Sequence, residues 1–211
     1  MKKLIKLSII LFILIAIILC SYKFIESTKK EQKSTTLFLG DSITQRYKLD
    51  KYFFNYKTIN SGVGGNTTND ILNDIDERVN KYNFDKVFLL VGINDLLFTT
   101  ETDEEIKNNI DKIIDSVYKK NPKSIVYLES VYPINTDINT DIPTVSNDRI
   151  KKLNKLLKKE CNNNKCIYIN MYDDLVDKNG KLKKIYTNDG IHLNKLGYTI
   201  VTKNLLSYIK D

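Results

Sequence analysis

Lys86-Val87-Phe88-Leu89-Leu90-Val91 is an uninterrupted apolar run that stops at Gly92-Ile93-Asn94-Asp95. A strand with one face in water alternates apolar and polar residues. A continuous run instead predicts a strand covered on both faces, as in a parallel sheet flanked by helices. Weaker runs of the same kind lie at Thr36–Leu39, Lys57–Asn60, Ser124–Ser130 and Cys166–Asn170, five strands in all. Between them the period changes to that of a helix. Asn69–Tyr82 carries Ile71, Leu72, Ile75 and Val79 on one face, with Thr67 or Thr68 as its cap. Asp103–Lys120 carries Ile106, Ile110, Ile113, Ile114 and Val117 and ends before Asn121-Pro122. Asn147–Glu160 carries Ile150, Leu153, Leu156 and Leu157, and Lys195–Ile209 carries Leu196, Ile200, Val201, Leu205 and Ile209. Strand–helix alternation with right-handed crossovers predicts an α/β fold, a three-layer α/β/α sandwich on a five-stranded, mainly parallel sheet. Functional residues should then gather at the carboxyl ends of the strands.

The N-terminus stands outside this pattern. Met1-Lys2-Lys3 leads into an apolar stretch from Leu7 to Cys20, flanked by Lys6 and Lys23. As a helix, that stretch spans only about 21 Å, and Leu4 to Tyr22 about 28 Å, against a hydrocarbon core of about 30 Å. Residues 1–25 therefore read as a signal anchor, with a cleaved signal peptide or a lipidated Cys20 as alternatives. Leu19 is large for a lipidation site. Residues 26–35 read as a polar linker, and 36–211 as the folded domain. The expected placement is a membrane-anchored, exported extracytoplasmic domain, or a secreted one if the segment is cleaved.

The net charge of +7 is concentrated in this appendage. Residues 1–33 hold seven lysines against Glu26 and Glu31, and the remainder holds 26 basic against 24 acidic residues. A near-balanced surface without an arginine-rich patch argues against nucleic acid as a partner. Of the three cysteines, Cys161 and Cys166 flank a turn and either pair in an oxidising compartment or remain thiols. Their spacing, without a second pair, is poor for zinc. Asp177-Lys178-Asn179-Gly180 has Leu175 where a calcium loop needs its first carboxylate, and reads as a plain turn. No cofactor and no metal are expected.

The chain has one histidine, His192, in Asp189-Gly190-Ile191-His192. Any histidine-based proton transfer must use it. Three strand ends carry further unusual residues: Gly40-Asp41-Ser42 after the first, Asn60-Ser61-Gly62-Val63-Gly64-Gly65-Asn66-Thr67-Thr68 after the second, and Gly92-Ile93-Asn94-Asp95 after the third. In a parallel sheet all four blocks converge on one edge. The glycine block lacks G-x-G-x-x-G and a Walker lysine, which excludes the usual phosphate cradles. The absence of G-x-S-x-G excludes a typical α/β-hydrolase elbow.

In order and in residues, the four blocks resemble the SGNH, or GDSL-like, esterase and acylhydrolase family, over Thr36 to about Ile209. Ser130-Val131-Tyr132-Pro133 after the fourth strand is a further likeness. The resemblance implies a flavodoxin-like SGNH hydrolase fold with Ser42 as nucleophile, His192 as general base and then acid, and Asp189 orienting the imidazole. It implies an oxyanion hole built from the backbone amides of Ser42 and Gly65 and the side-chain amide of Asn94. The expected substrate is a small-molecule or glycan ester, with a short acyl group such as acetyl on a carbohydrate or cell-envelope polymer. A lysophospholipase and a non-catalytic glycan-binding module are the alternatives. The polar loop Tyr132–Asn147 is expected to form one wall of the site. The aromatic stretch Tyr47, Tyr52, Phe53, Phe54 and Tyr56 either lines a pocket or packs in the core. Oligomeric state is not legible.

Overall fold

The structure is a computed structural model that describes residues 13–21, 34–138, 145–161 and 166–210. The chain divides into two units, residues 1–33 and 34–211. In the first, residues 13–21 are helical, and the rest of the predicted anchor and the linker up to Lys33 lie outside the described residues. Among the described residues no helix is long and apolar enough to cross a membrane.

The second unit is an α/β sandwich. Five strands, β1 (Thr35–Gly40), β2 (Lys57–Gly62), β3 (Lys86–Leu90), β4 (Ile125–Glu129) and β5 (Ile167–Ile169), form one sheet in the order β2-β1-β3-β4-β5. Every neighbouring pair is parallel. β1 takes Thr35, one residue from the predicted linker, and β2 runs two residues past its predicted end, so that Gly40 pairs with Gly62. The order is the doubly wound one, with a topological switch point between β1 and β3.

Alternation along the strands divides the core. Leu37, Leu39, Val87 and Leu89 face one layer, where they join Ile71, the apolar stripe of α5 (Asp103–Lys120) and that of α6 (Asn147–Glu160). Phe38, Phe88 and Tyr127 face the other, against Tyr47, Phe53 and helix α8 (Lys195–Ile209). Phe88 stacks between Phe38 and Tyr127, with ring centroids at 5.0 and 4.8 Å. Truncating such a residue to alanine costs about 3–5 kcal/mol. The three long helices begin and end where the apolar period predicts, each with a side-chain cap: Thr102, Ser146 and Asn194.

The predicted helix Asn69–Tyr82 is the exception. It divides into α3 (Thr68–Asn73), capped by Thr67, and a π-helical turn over Asp76–Asn80. The wider turn carries Arg78 inside the protein, at 3% exposure. Short helices α1 (Ser42–Gln45) and α2 (Leu49–Tyr52) follow β1, α4 (Ile93–Phe98) follows β3, and α7 (Tyr172–Leu175) follows β5. Cys161 and Cys166 are joined by a disulfide. Asp177 accepts the amides of Asn179 and Lys181, as a plain turn requires. Residues 139–144 of the loop Tyr132–Asn147, which include Pro143, lie outside the described residues.

Candidate active site

At the carboxyl end of β1 the chain must turn sharply. A methyl group on Gly40 would sit 2.3 Å from both the Leu90 carbonyl and Thr44 Oγ1, so only glycine fits there. Asp41 follows, fully buried, and its carboxylate accepts the Ile43 amide at 2.8 Å as the cap of α1. Its other oxygen, Oδ2, has no hydrogen-bond partner among the described residues. Burial pushes this carboxyl up to about 7, against the opposing Ile43 hydrogen bond. Turning Asp41 inward sets Ser42 at the first position of α1, at the sheet's carboxyl edge.

Ser42 Oγ lies 2.9 Å from His192 Nε2. His192 Nδ1 lies 2.7 Å from Asp189 Oδ2. The other Asp189 oxygen accepts the backbone amides of Ile191 and His192 at 3.0 and 2.8 Å. Burial pushes the Asp189 carboxyl up, but its bonds from the His192 ring and from the two amides outweigh burial, and it ends below its usual value. It is thus an anion near neutral pH, and it fixes the imidazole with Nδ1 protonated and Nε2 free to accept from Ser42. Arg46 Nη1 approaches Asp189 Oδ2 from solvent at 3.7 Å.

The loop bearing this pair is held on both sides. Thr187 Oγ1 accepts the Gly190 amide at 2.9 Å, and Asn135 donates its backbone N–H to the Gly190 carbonyl at 2.8 Å. Asn194 then caps α8 directly after the loop. The link through Asn135 ties the segment after β4 to the histidine loop.

The expected oxyanion donors come from three further segments. Gly65 has φ +78°, in the left-handed region, and nothing lies within 4 Å of where a Cβ would be. Its amide is therefore carried in a tight, uncrowded turn. Asn94, 6% exposed at the start of α4, donates one Nδ2 hydrogen to the Asn66 carbonyl at 2.9 Å. An amide nitrogen carries two hydrogens, so a second remains to donate. Asn66 is held in turn by Arg78, whose guanidinium donates to its side chain, to Ser61 and, at 2.7 Å, to the Gly40 carbonyl.

The structure therefore brings together Ser42, Asp189 and His192, and sets Gly65 and Asn94 on adjoining loops. Such an arrangement can move a proton from a hydroxyl to an imidazole, with neutral donors close by for an anion. Three residues that reasoning from sequence assigned no role support it: Asp41, Arg78 and Asp95. Arg78 left a legible signal. It stands seven residues after Ile71 and three after Ile75, on the apolar face of its helical pattern, where a charge needs buried partners.

Comparison with known proteins agrees with this fold. Residues 38–200 match the model of the GDSL-like Lipase/Acylhydrolase family. A solved structure from Streptococcus pneumonia, described as a candidate platelet activating factor, is 30% identical, covers 87% of each chain and superposes with a TM-score of 0.79. A GDSL-like lipase from Bacteroides thetaiotaomicron is 25% identical, covering 83% of this chain and 87% of that one, with a TM-score of 0.72. Among curated proteins, the N-acylneuraminate cytidylyltransferase of Escherichia coli O18:K1:H7 is 31% identical over 152 residues. That match covers 72% of this chain but only 35% of the relative.

Proposed function

The chain belongs to the GDSL-like lipase/acylhydrolase family, and from that premise we propose that it is a serine carboxylic-ester hydrolase. The observation that carries this reading is the unbroken line Ser42 Oγ–His192 Nε2, 2.9 Å, and His192 Nδ1–Asp189 Oδ2, 2.7 Å. Ser42 Oγ attacks the ester carbonyl as its proton passes to His192 Nε2. The oxyanion that forms is met by the amides of Ser42 and Gly65 and the second N–H of Asn94. Collapse of the tetrahedral adduct breaks the bond to the alcohol, which leaves with the proton from His192. A water then attacks the acyl-serine, again giving its proton to His192, and the carboxylic acid departs as Ser42 Oγ recovers a proton. Asp189 stays ionised and stabilises the imidazolium in both halves.

The substrate class follows from the surroundings of Ser42. Polar side chains border it: Gln45 across Gly64, Arg46 on Asp189, and Asn94 on the oxyanion loop. The described part of the Tyr132–Asn147 loop brings no run of large apolar residues that would hold a long acyl chain. This supports a short acyl group, such as acetyl, on a carbohydrate or cell-envelope polymer. The E. coli relative is named for chemistry on an N-acylated sugar acid, which is in keeping, but its cytidylyl transfer stays with that longer protein. The domain works outside the cytoplasm, held at the membrane by residues 1–25 or released from it. The Cys161–Cys166 pair, which needs an oxidising compartment to persist, supports that placement.

The test is a chain-length series of p-nitrophenyl esters, from acetate to laurate, on the full-length protein. Acetate is expected to be the best substrate, and Ser42→Ala to abolish turnover. A maximum at long chains favours the lysophospholipase alternative, and no turnover of any ester defeats the hydrolase reading.

A further inference from the structure

Beside the catalytic loops a groove of about 790 Å³ runs along the free edge of β2, from Gly62 and Gln45 past Lys48 to Phe54, Tyr56 and Lys57. It begins at Gln45, at the far end of the short helix that Ser42 opens. A methyl group on Gly64 would lie 2.8 Å from Gln45 Oε1 and 3.9 Å from Ser42 Cβ, so Gln45 and the nucleophile flank the same glycine. Anything seated in the groove has its near end against the oxyanion loop.

Two properties of its lining bear on what it can hold. Phe54 is 75% exposed, although Phe53 beside it is 1% exposed in the core. Its charged lining residues are Lys48, Lys57 and Asp50, two cations to one acid. Some lysines elsewhere are paired, as Lys107 is with Asp111 and Glu160. Among the described residues no ion pair occupies Lys48, Lys51 or Lys57. Unpaired cations along a cleft concentrate an anionic ligand. An exposed aromatic face accepts the apolar C–H face of a sugar ring.

We propose that this groove binds the alcohol part of the substrate, and that this part is an anionic glycan, a sugar chain bearing carboxylate or phosphate groups. The proposal rests on the ester-hydrolase reading and adds to it the charge of the polymer that carries the ester. Lys48 and Lys57 meet the negative groups, Phe54 stacks on a ring, and Gln45 guides the chain into the site.

The experiment compares kcat/KM of the full-length protein on acetylated polygalacturonate and on acetylated xylan of matched acetyl content, with p-nitrophenyl acetate as a small ester without a glycan. The wild type is expected to favour the anionic polymer by about tenfold, and ~0.5 M salt to remove most of that preference. Lys48→Gln/Lys57→Gln is expected to lose the preference, chiefly through KM, while its rate on p-nitrophenyl acetate is unchanged. Phe54→Ala is expected to weaken both polymers and spare the small ester. Equal rates on the two polymers, or a preference that survives the double substitution, overturns the proposal. So does a preference for a long-chain lysophospholipid over both polymers, which makes the groove a lipid site. Failure to hydrolyse even p-nitrophenyl acetate defeats the ester-hydrolase reading itself, an outcome distinct from loss of the charge preference alone.

Discussion

The buried carboxylate of Asp95 accepts both the backbone amide of Thr68, at 2.9 Å, and its hydroxyl. This pair joins helix α4, which carries Asn94, to the start of α3, just beyond the loop that carries Gly65. Two of the three proposed oxyanion donors are thus held in register by one bond network. Asn109 of α5 also donates to Thr68 Oγ1, at 3.2 Å. Burial pushes the Asp95 carboxyl up to about 6 even with the Thr68 bonds opposing it.

Thr68→Val keeps the volume of the side chain but removes the hydroxyl, leaving Asp95 one donor short. The expected cost is about 1–3 kcal/mol of stability. If Thr68 also positions the donors, kcat falls while KM changes little. Denaturant unfolding and steady-state kinetics on p-nitrophenyl acetate separate the two effects. A destabilised variant with wild-type kcat would confine Thr68 to a structural part, and one unchanged in both would deny it either.

Asn94→Ala removes an uncharged donor together with its bond to the Asn66 carbonyl. The expected loss is about 10²–10³-fold in kcat, as for other single oxyanion donors, with the fold intact by circular dichroism. Unchanged kcat in a folded variant would take Asn94 out of the site.

Much of this architecture could be read from the chain. The run Lys86–Val91 predicted a strand covered on both faces, and β3 lies between β1 and β4 at the centre of the sheet. Helices α5, α6 and α8 begin and end where periodicity and caps place them, because each buries a stripe of its own against the sheet. The candidate site residues were legible because they lie at strand ends, where motif and topology coincide. What could not be read depends on burial of polar groups, which spacing alone does not reveal. The split of the α3 segment followed from Arg78 seeking Gly40, Ser61 and Asn66 inside the fold. The aromatic stretch after α1 answers to both expectations: Tyr47 and Phe53 are buried in the core and also border the groove, Tyr52 and Tyr56 pack against that core, and Phe54 is exposed along the groove.

Buried carboxyls set the response of stability to pH. Burial pushes Asp41 and Glu129 up to about 7 and Asp95 up to about 6. Between pH 4 and 7 these groups hold protons in the folded protein that the unfolded chain has released. Stability therefore falls as pH rises through that window and levels off above it. Asp189 acts in the opposite sense: its folded value is depressed, so its contribution is present above the ordinary carboxylate range and is lost as pH falls through its folded value. Between pH 5 and 8 the three raised groups dominate, and Tm is expected to be higher at pH 5. Glu129→Gln, which can still accept from Tyr132, should reduce that difference. A Tm that rises from pH 5 to pH 8 would contradict the assignment.

The sole histidine gives the sharpest test of the mechanism. If His192 is the general base, protonating its ring removes the nitrogen that accepts from Ser42, and kcat/KM falls on the acid side with the titration of one group. His192→Ala should abolish most turnover and erase that limb from whatever activity remains. Ser42→Ala and the double variant should be about equally damaging, because the three side chains act as a unit. Asp189→Asn should leave Ser42 and His192 in place yet favour the wrong tautomer, with a loss of about 10⁴-fold in kcat. The measurement is a pH–rate profile of each variant on p-nitrophenyl acetate in the presence of a chelator, where the wild type is expected to keep its full rate. A His192→Ala protein with the wild-type rate and the same acid limb would exclude this mechanism, since no other histidine exists in the chain to replace it.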